Sequence, residues 1–599
     1  MSSIPSPLLL SGSVVSFTIT VEGAVIPSTW QVDSIETFVA VNRLPKARLT
    51  IFDGSASGGD FPASAGNTFL PGNKITVAAG YDSNDELIFS GLIIGQRIEI
   101  DRNAVSKLIV DIADQAMAMT LSRKNAVFAN IKDSDLIQKL IAGNGLTASV
   151  TATTTVFGDV VQYYATDWNL MVMRAELNGF VVIADSGNVT VMPPNTQATP
   201  VLQVEYGTSI LDLNAEMNAA TQYKSSAIKS CAWDESTQQV LEAGPRSLNV
   251  TEPGNLSSDQ LASTFAVSGF TQQTGAMIPL GSLKDWSTAE LLKSKLSKIR
   301  GQVSFQGSSL AKTGSMIQLV GLGDRFNGPA YISGVEHRIV AGNWITIVTF
   351  GLAWPWFASE NANIPSPQAS GQMPPIQGLQ TGIVRHVTTD PEGEFRVQIT
   401  LPILGPAAPA IWARLASFYA SNQFGAVFYP DVNDEVIVGF MNNDPRYPVI
   451  VGSAYSKLLP PPYPPATGNY IKGIKTRGKI EMTFDDQNIV FEVKTPGKRT
   501  VRLDDKAGTV TISDDNKNSI TLSSSGITVD SAKDLVLKAT ANITIQAGAA
   551  LNMTAATNAT LKGMQISQTA SSGFQAQGAT ATLSASGITT ISGALVNIN

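Results

Sequence analysis

One cysteine, Cys231, stands in a chain of 599 residues. That excludes an internal disulfide and any cysteine-based zinc site. Its plain reading is a small, semi-buried side chain. Two histidines, His337 and His386, are too few for a histidine-rich metal centre within one chain, and no cofactor is expected. Charged residues make up 15%, well under the ~25% of an ordinary globular domain. The formal charge of −7 is the wrong sign for general affinity to nucleic acid, which depends on Lys and Arg neutralising phosphates. No run approaches the ~20 apolar residues that a membrane-spanning helix requires. Leu8–Leu10 is too short for the apolar region of a signal peptide and no basic segment precedes it. The expectation is a protein made in the cytoplasm and, if it leaves, carried out by something other than a cleaved signal. A GxSxG, HExxH or P-loop motif is absent, as is GxGxxG in a strand–helix context.

What the chain has in quantity is Gly, Thr, Ser and Ala, and their arrangement is most regular at the end. Ala541 to Asn599 holds one charged side chain, Lys562. Apolar residues there come in pairs spaced i, i+2 that step along the chain by eight: Ile527/Val529, Leu535/Leu537, Ile543/Ile545 and Leu551/Met553, weakening at Ala559/Leu561. Side chains i and i+2 leave the same face of an extended chain, so each pair marks a strand. Repetition at fixed length marks stacked strands that bury their apolar faces only against neighbours. Eight residues are too few for one chain to wrap a full β-helical turn. Three chains winding together, with the pairs turned to the axis, give the economical solution: a needle-like trimeric β-helix.

Composition divides the rest. Residues 1–360 read as mainly β with a few helices. Strands are expected at Ser16–Val21, Arg48–Phe52, Lys74–Ala79 and Leu108–Ile112. Helices are expected at Asp133–Ala142 (capped by Ser134 or Asp135), Thr166–Leu177 and Ser287–Ile299. A Pro/Ser/Gln linker, 361–378, precedes a compact β module, 379–456. A proline-rich neck, 457–475, leads to the repeats, 476–599. Paired aspartates (Asp485/Asp486, Asp504/Asp505, Asp514/Asp515) occupy turns between the first repeats. Adjacent residues in a strand face opposite ways, so neither acid–base catalysis nor cation binding is expected of them. Arg174 and Glu176, on a predicted helix, are read as structural.

The β module carries the most specific signal: GIVRHVTTDPEGEFRVQITLP, then IWARLAS, then FGAVFYPDVNDEVIVGFMNNDPRYPVIVGSAY. With Trp412, Arg414, Gly425, Pro430, Asp444, Pro445 and Gly452 in this order, it resembles the OB-fold domain of the contractile-injection spike family. That family comprises the VgrG proteins of type VI secretion, phage baseplate spikes and the spikes of extracellular injection particles. The Tyr164–Trp168 segment with Arg174–Gly179 resembles the family's hub, and Lys479–Asp485 with Thr495–Gly497 resembles the start of its needle. OB-folds also bind single-stranded nucleic acid. Residues 376–455, however, carry four Arg and no Lys against seven acids, and no nucleic acid is expected. Trp412 and Phe424 are read as core or subunit-contact residues.

The resemblance implies a non-enzymatic homotrimer. Its hub, built of two barrel-like domains within 15–130 and 180–350, would cap an inner tube of Hcp-like protein and contact baseplate proteins. Its needle would touch the target membrane transiently when a sheath contracts, and effector cargo is possible. The assembled particle would deliver it outside or into the target cell. The blunt end, with Ile588, Ile591, Leu595, Val596, Ile598 and Asn599, is expected to dock a PAAR-type tip protein. Any tip metal must belong to that partner, since no histidine follows His386. Two other readings compete: a β-helical glycan-degrading enzyme and a receptor-binding tail fibre. The first lacks convergent carboxylates in the charge-poor tail. The second lacks an aromatic-rich terminal head, Phe574 being the only late aromatic.

Overall fold

A computed structural model describes residues 4–8 and 13–598. Leu9, Leu10 and Asn599, all used in the sequence reading, lie outside them. The chain divides into two compact units, residues 1–454 and 455–599.

In the first unit 13 of the hub strands join into one sheet, and the others form one two-stranded and two three-stranded sheets. The large sheet carries two hydrophobic cores. One gathers Ile19, Ile35, Leu49, Ile75, Leu108 and Ile112. The other gathers Leu202, Val303, Phe305, Ile317, Ile332 and Phe350. The strand Val32–Ala40 pairs antiparallel with Gly328–Val340, from Ala40 opposite Gly334 to Ser34 opposite Val340. The two ranges expected to hold barrel-like domains, 15–130 and 180–350, thus contribute to one sheet. Each half has its own core, but one sheet runs through both, and the 13-residue strand Gly328–Val340 serves them in turn. Its first part gives Ala330 and Ile332 to the second core and its last part gives Ile339 to the first.

Helix α1 (Asp133–Ala142) lies where its apolar stripe predicts, with Leu136, Ile137, Leu140 and Ile141 buried. Its cap is not the one expected. Lys132 holds the N-cap position, Ser134 and Asp135 fall within the first turn, and Thr153 Oγ1 accepts from the Ser134 N–H at 3.1 Å. Helix α2 (Asp167–Leu177) is capped by Thr166, whose hydroxyl accepts from the Asn169 N–H. Helix α3 (Leu280–Leu296) starts seven residues before the expected Ser287, and Ile299 opens a strand instead of ending the helix. The early turns hide their buried side behind hydroxyls. Ser282 and Ser287 are buried, Ser287 Oγ donating to the Leu283 carbonyl, and in the last turn buried Ser294 donates its Oγ to the Thr221 carbonyl. A buried serine satisfied in this way leaves no apolar periodicity to read.

Buried charge ties the helices together. Arg174 donates twice to Asp133, at 2.6 and 3.0 Å. Lys293 meets Glu176 at 2.8 Å, and Glu176 also accepts the Phe357 N–H. Glu290 on α3 accepts both indole N–H groups of Trp354 and Trp356 and the Gln272 amide, each at 2.9 Å. The Trp-rich close of the hub is thus fastened to α3, and burial pushes the Glu290 carboxyl above its ordinary range. Cys231 is buried.

His337 sits on the shared strand, buried beside Thr346 and Trp344. Burial lowers its pKa from 6.5 to about 4. Between those values the unfolded chain binds a proton that the folded hub refuses. Hub stability is therefore expected to fall as pH drops from about 6.5 towards 4, by about 1.4 kcal/mol per pH unit. Urea midpoints across that range should show the slope. His337→Gln should lose this share of it, and an unchanged slope would mean that the ring is protonated in the fold.

The first unit also contains a closed five-stranded barrel in the order β1-β2-β3-β5-β4. Its strands are β1 (Gln380–His386), β2 (Val397–Thr400), β3 (Ile411–Leu415), β4 (Glu435–Phe440) and β5 (Pro448–Ser453). Val384, Val397, Ile399, Ala413, Val436, Val438 and Ile450 fill it. Alternation along short strands gives this inward row directly.

In the second unit seven strands form an antiparallel meander, β6 to β12 in chain order: Ile471–Lys475, Glu481–Asp485, Val490–Lys494, Thr500–Asp504, Thr509–Ser513, Ser519–Ser523 and Gly526–Asp530. The proline-rich neck therefore gives way to strand before residue 475. From 531 onward the described chain makes no strand pairs of its own.

Candidate functional site

Among the described residues no group of three or more His, Cys, Asp or Glu could hold a metal ion. The surfaces that stand out are apolar, and they lie on the barrel loops, the meander and the tail.

On the barrel, the OB-motif residues divide between framework and loops. Trp412, half-buried on β3, pairs with Gln398, and exposed Arg414 pairs through its backbone with Val449. Pro430 is buried. Gly452 lies opposite Ile437, where the register shifts by a bulge. Gly425 has φ +143°, and a Cβ there would fall 2.6 Å from the Tyr419 carbonyl oxygen, so only glycine fits. Asp444 is buried and fixes the turn into β5. It accepts from the Arg446 N–H and its guanidinium, which holds the carboxyl below its usual range, with half-buried Pro445 between them. Asp390 does the same for the turn into β2 through Arg396. The aromatic residues of the long β3–β4 loop point outward. Phe418 is 87% exposed, and Phe424 is exposed with its ring edge-on to Tyr419. Phe424 thus lies outside the core of a single chain.

The meander has one apolar and one polar face. Register places Ile474, Met482, Val493, Val501, Ile512, Ile520 and Val529 in one row across all seven strands. A second row runs through Phe484, Phe491, Leu503, Val510, Leu522 and Ile527. The opposite face presents Thr483, Glu492, Arg502, Thr511, Thr521 and Thr528. Within one chain Met482, Phe491 and Val493 are half-buried, but further along the rows Val501, Ile512, Ile520 and Leu522 are each 40% exposed or more. Ile527 and Val529, read from sequence as the first pair of the eight-residue stack, instead end these two rows. The rows themselves escaped the sequence reading. Their signal was there, in five-residue alternating strands starting nine or ten residues apart at 471, 481, 490, 500, 509 and 519.

The first aspartate of each pair shapes a turn. Asp485 accepts from the Gln487 and Asn488 N–H groups, Asp504 from Ala507, and Asp514 from Asn516 and Asn518. Side-chain donors from Asn488, Arg502 and Asn518 respectively hold these carboxyls below their ordinary range. Of their neighbours in sequence, Asp486 pairs with Lys472.

In the tail the backbone bends at 532–533, 540–541, 548–549, 556–557, 564, 571–572, 579–580, 586–587 and 594–595. The step therefore continues past Leu561, where the apolar pairs fade, but at seven or eight residues instead of a constant eight. Leu535, Leu537, Ile543, Ile545, Leu551 and Met553 lie on the straight arms between bends, all exposed in one chain. Ile588, Ile591, Leu595, Val596 and Ile598 are exposed too, and Asn599 lies outside the described residues.

Two family models match this sequence: the Alg8 N-terminal domain over residues 11–341 and the type VI secretion system/phage-baseplate injector OB domain over residues 380–455. The second range coincides with the barrel. The chain is 31% identical over 119 residues to the type VI secretion system spike protein VgrG5 of Pseudomonas aeruginosa, covering 19% of this chain and 14% of that one. It is 36% identical over 81 residues to VgrG3 of Vibrio cholerae, covering 13% and 8%. It thus spans less than a sixth of the length of these curated relatives. Among solved structures, the 43 kDa tail protein of prophage MuSo2 from Shewanella oneidensis aligns with 98% of its length on 56% of this chain, at 11% identity and a TM-score of 0.43.

Proposed function

The chain belongs to the Alg8 N-terminal domain family and shares the injector OB domain with the VgrG spikes, and on that premise we propose that it is the central, non-enzymatic spike of a contractile injection machine. Three copies assemble around the meander and tail. The hub caps an inner tube of Hcp-like protein within the baseplate. The far end, around Ile588 to Ile598, carries a PAAR-type tip protein, and the assembly pierces the target envelope when the sheath contracts. The protein transmits force and turns over no substrate.

The observation that supports this best is the uncovered apolar face of the meander. An apolar sheet face must be buried against another layer, and Val501, Ile512, Ile520 and Leu522 on this one remain exposed. Three such faces turned inward cover one another and present the Thr-rich faces to water. Each side chain so buried contributes roughly 1.5–3 kcal/mol. The tail follows the same logic with one arm per chain in each eight-residue step. Its near lack of charge lowers the desolvation cost of crossing lipid. Light scattering on the purified chain should give three times 63.3 kDa. A stable, folded single chain would remove the physical basis of the needle.

A further inference from the structure

A cleft of about 1220 Å³ opens on the hub where the two halves of its sheet join. Its floor is a row of five registered residues on successive strands: Asn214, Gln302, Thr349, Gly334 and Ala40. These are small or amide-bearing side chains on the face of the sheet away from both cores, and they leave backbone-sized room above them. Helix α2, with the Phe180 that follows it, and the Pro355–Glu360 segment form the walls. Most of the charge in the cleft is already paired: Lys293 with Glu176 at 2.8 Å and Arg300 with Glu216 at 2.5 Å. Arg43, on the turn after Val32–Ala40, and Lys46, which opens the strand Lys46–Phe52, have no side-chain partner among the described residues. Among the described residues Glu360 is the one acid lining the cleft without a partner, so the cleft keeps a net positive rim.

We propose that this cleft is a binding site for an extended, acidic segment of another protein, with Arg43 and Lys46 as its carboxylate-recognising groups. The volume exceeds the 300–1,000 Å³ usual for small-molecule pockets and suits a length of peptide. An arginine takes a carboxylate bidentately, and a lysine acts as a point charge beside it. The Asn214 and Gln302 amides offer donors and acceptors to a peptide backbone lying along the floor. No part of this depends on trimer formation or on the spike reading.

The probe is a fluorescein-labelled ten-residue peptide of alternating Glu and Gly, titrated with the full-length protein and followed by anisotropy at 50 mM salt. Saturable binding is expected, weakening as salt is raised because the rim is exposed. Arg43→Glu with Lys46→Glu should weaken it at least tenfold while native mass and melting temperature stay as in the unaltered chain. Lys538→Glu with Lys562→Glu makes the same charge change in the tail and should leave binding within twofold. The Lys–Gly counterpart of the peptide should not bind. No binding by the unaltered protein, or equal loss in the tail variant, would overturn the site. A native mass other than three chains would instead bear on the spike reading alone.

Discussion

Ile512→Asp with Ile520→Asp should leave the hub and barrel folded and abolish assembly, giving a native mass of 63.3 kDa. The two isoleucines face each other across adjacent strands in the middle of the first apolar row. In an assembled needle both would be buried against the other copies, where an unpaired carboxylate is far costlier than a lost apolar contact. Three copies carry six such groups towards one axis, more than the remaining row can offset. Two aspartates set opposite each other also repel within the hairpin, so a control must reproduce that effect. Thr511→Asp with Thr521→Asp places the same pair, in the same register, on the other face. It should keep the full assembly. If both pairs lower the mass alike, the loss lies in the hairpin and the apolar face is not a contact surface. If neither does, the chains are held together elsewhere.

The second large effect is expected inside the hub. Asp133 is 3% exposed and takes two hydrogen bonds from Arg174 and one from Asn178 at 2.8 Å. The guanidinium also lies over the Phe157 ring, 4.5 Å from its centre. Arg174→Ala leaves a buried carboxylate with one neutral donor, and breaking a buried pair from one side costs about 3–5 kcal/mol. The first thermal transition of the protein should fall by several degrees. Arg174→Ala combined with Asp133→Asn removes the stranded charge and should recover much of that loss. A single variant that melts within one degree of the unaltered protein would mean that water reaches Asp133. No such cost is expected at exposed pairs such as Arg48 with Asp111.

How much of this was legible in the sequence depended on whether apolar pattern or polar contact defined each element. Helix α1 was readable to the residue because Leu136, Ile137, Leu140 and Ile141 repeat at helical spacing. The first two turns of α3 were not, because serines occupy their buried side. The barrel was readable from its ordered motif, since Gly425 and Asp444 each meet a steric or hydrogen-bonding demand that few other residues satisfy. The joining of the two hub halves was invisible. Which strand pairs with Val32–Ala40 depends on a partner some 300 residues away, and no local pattern encodes that distance.

The candidate surfaces divide in the same way. The eight-residue step of the tail was legible because period two and period eight coincide in its apolar pairs. Its continuation through Gln568, Phe574 and Leu583 was not, since only the backbone bends carry it there. In the meander, charged turns of unequal length blurred the period, although each five-residue strand alternates cleanly. The cleft left no trace in the sequence, as Arg43 and Lys46 gain significance only from the pairing of every other cation around them.

The regular bends of the tail divide it into interchangeable modules. Adding or deleting eight residues shifts every later arm by one whole step and returns each apolar pair to the same phase. A change of four would carry every later pair half a module out of phase. In the proposed trimer, reach could therefore be lengthened or shortened in whole increments without redesigning either end, provided that every copy changes together.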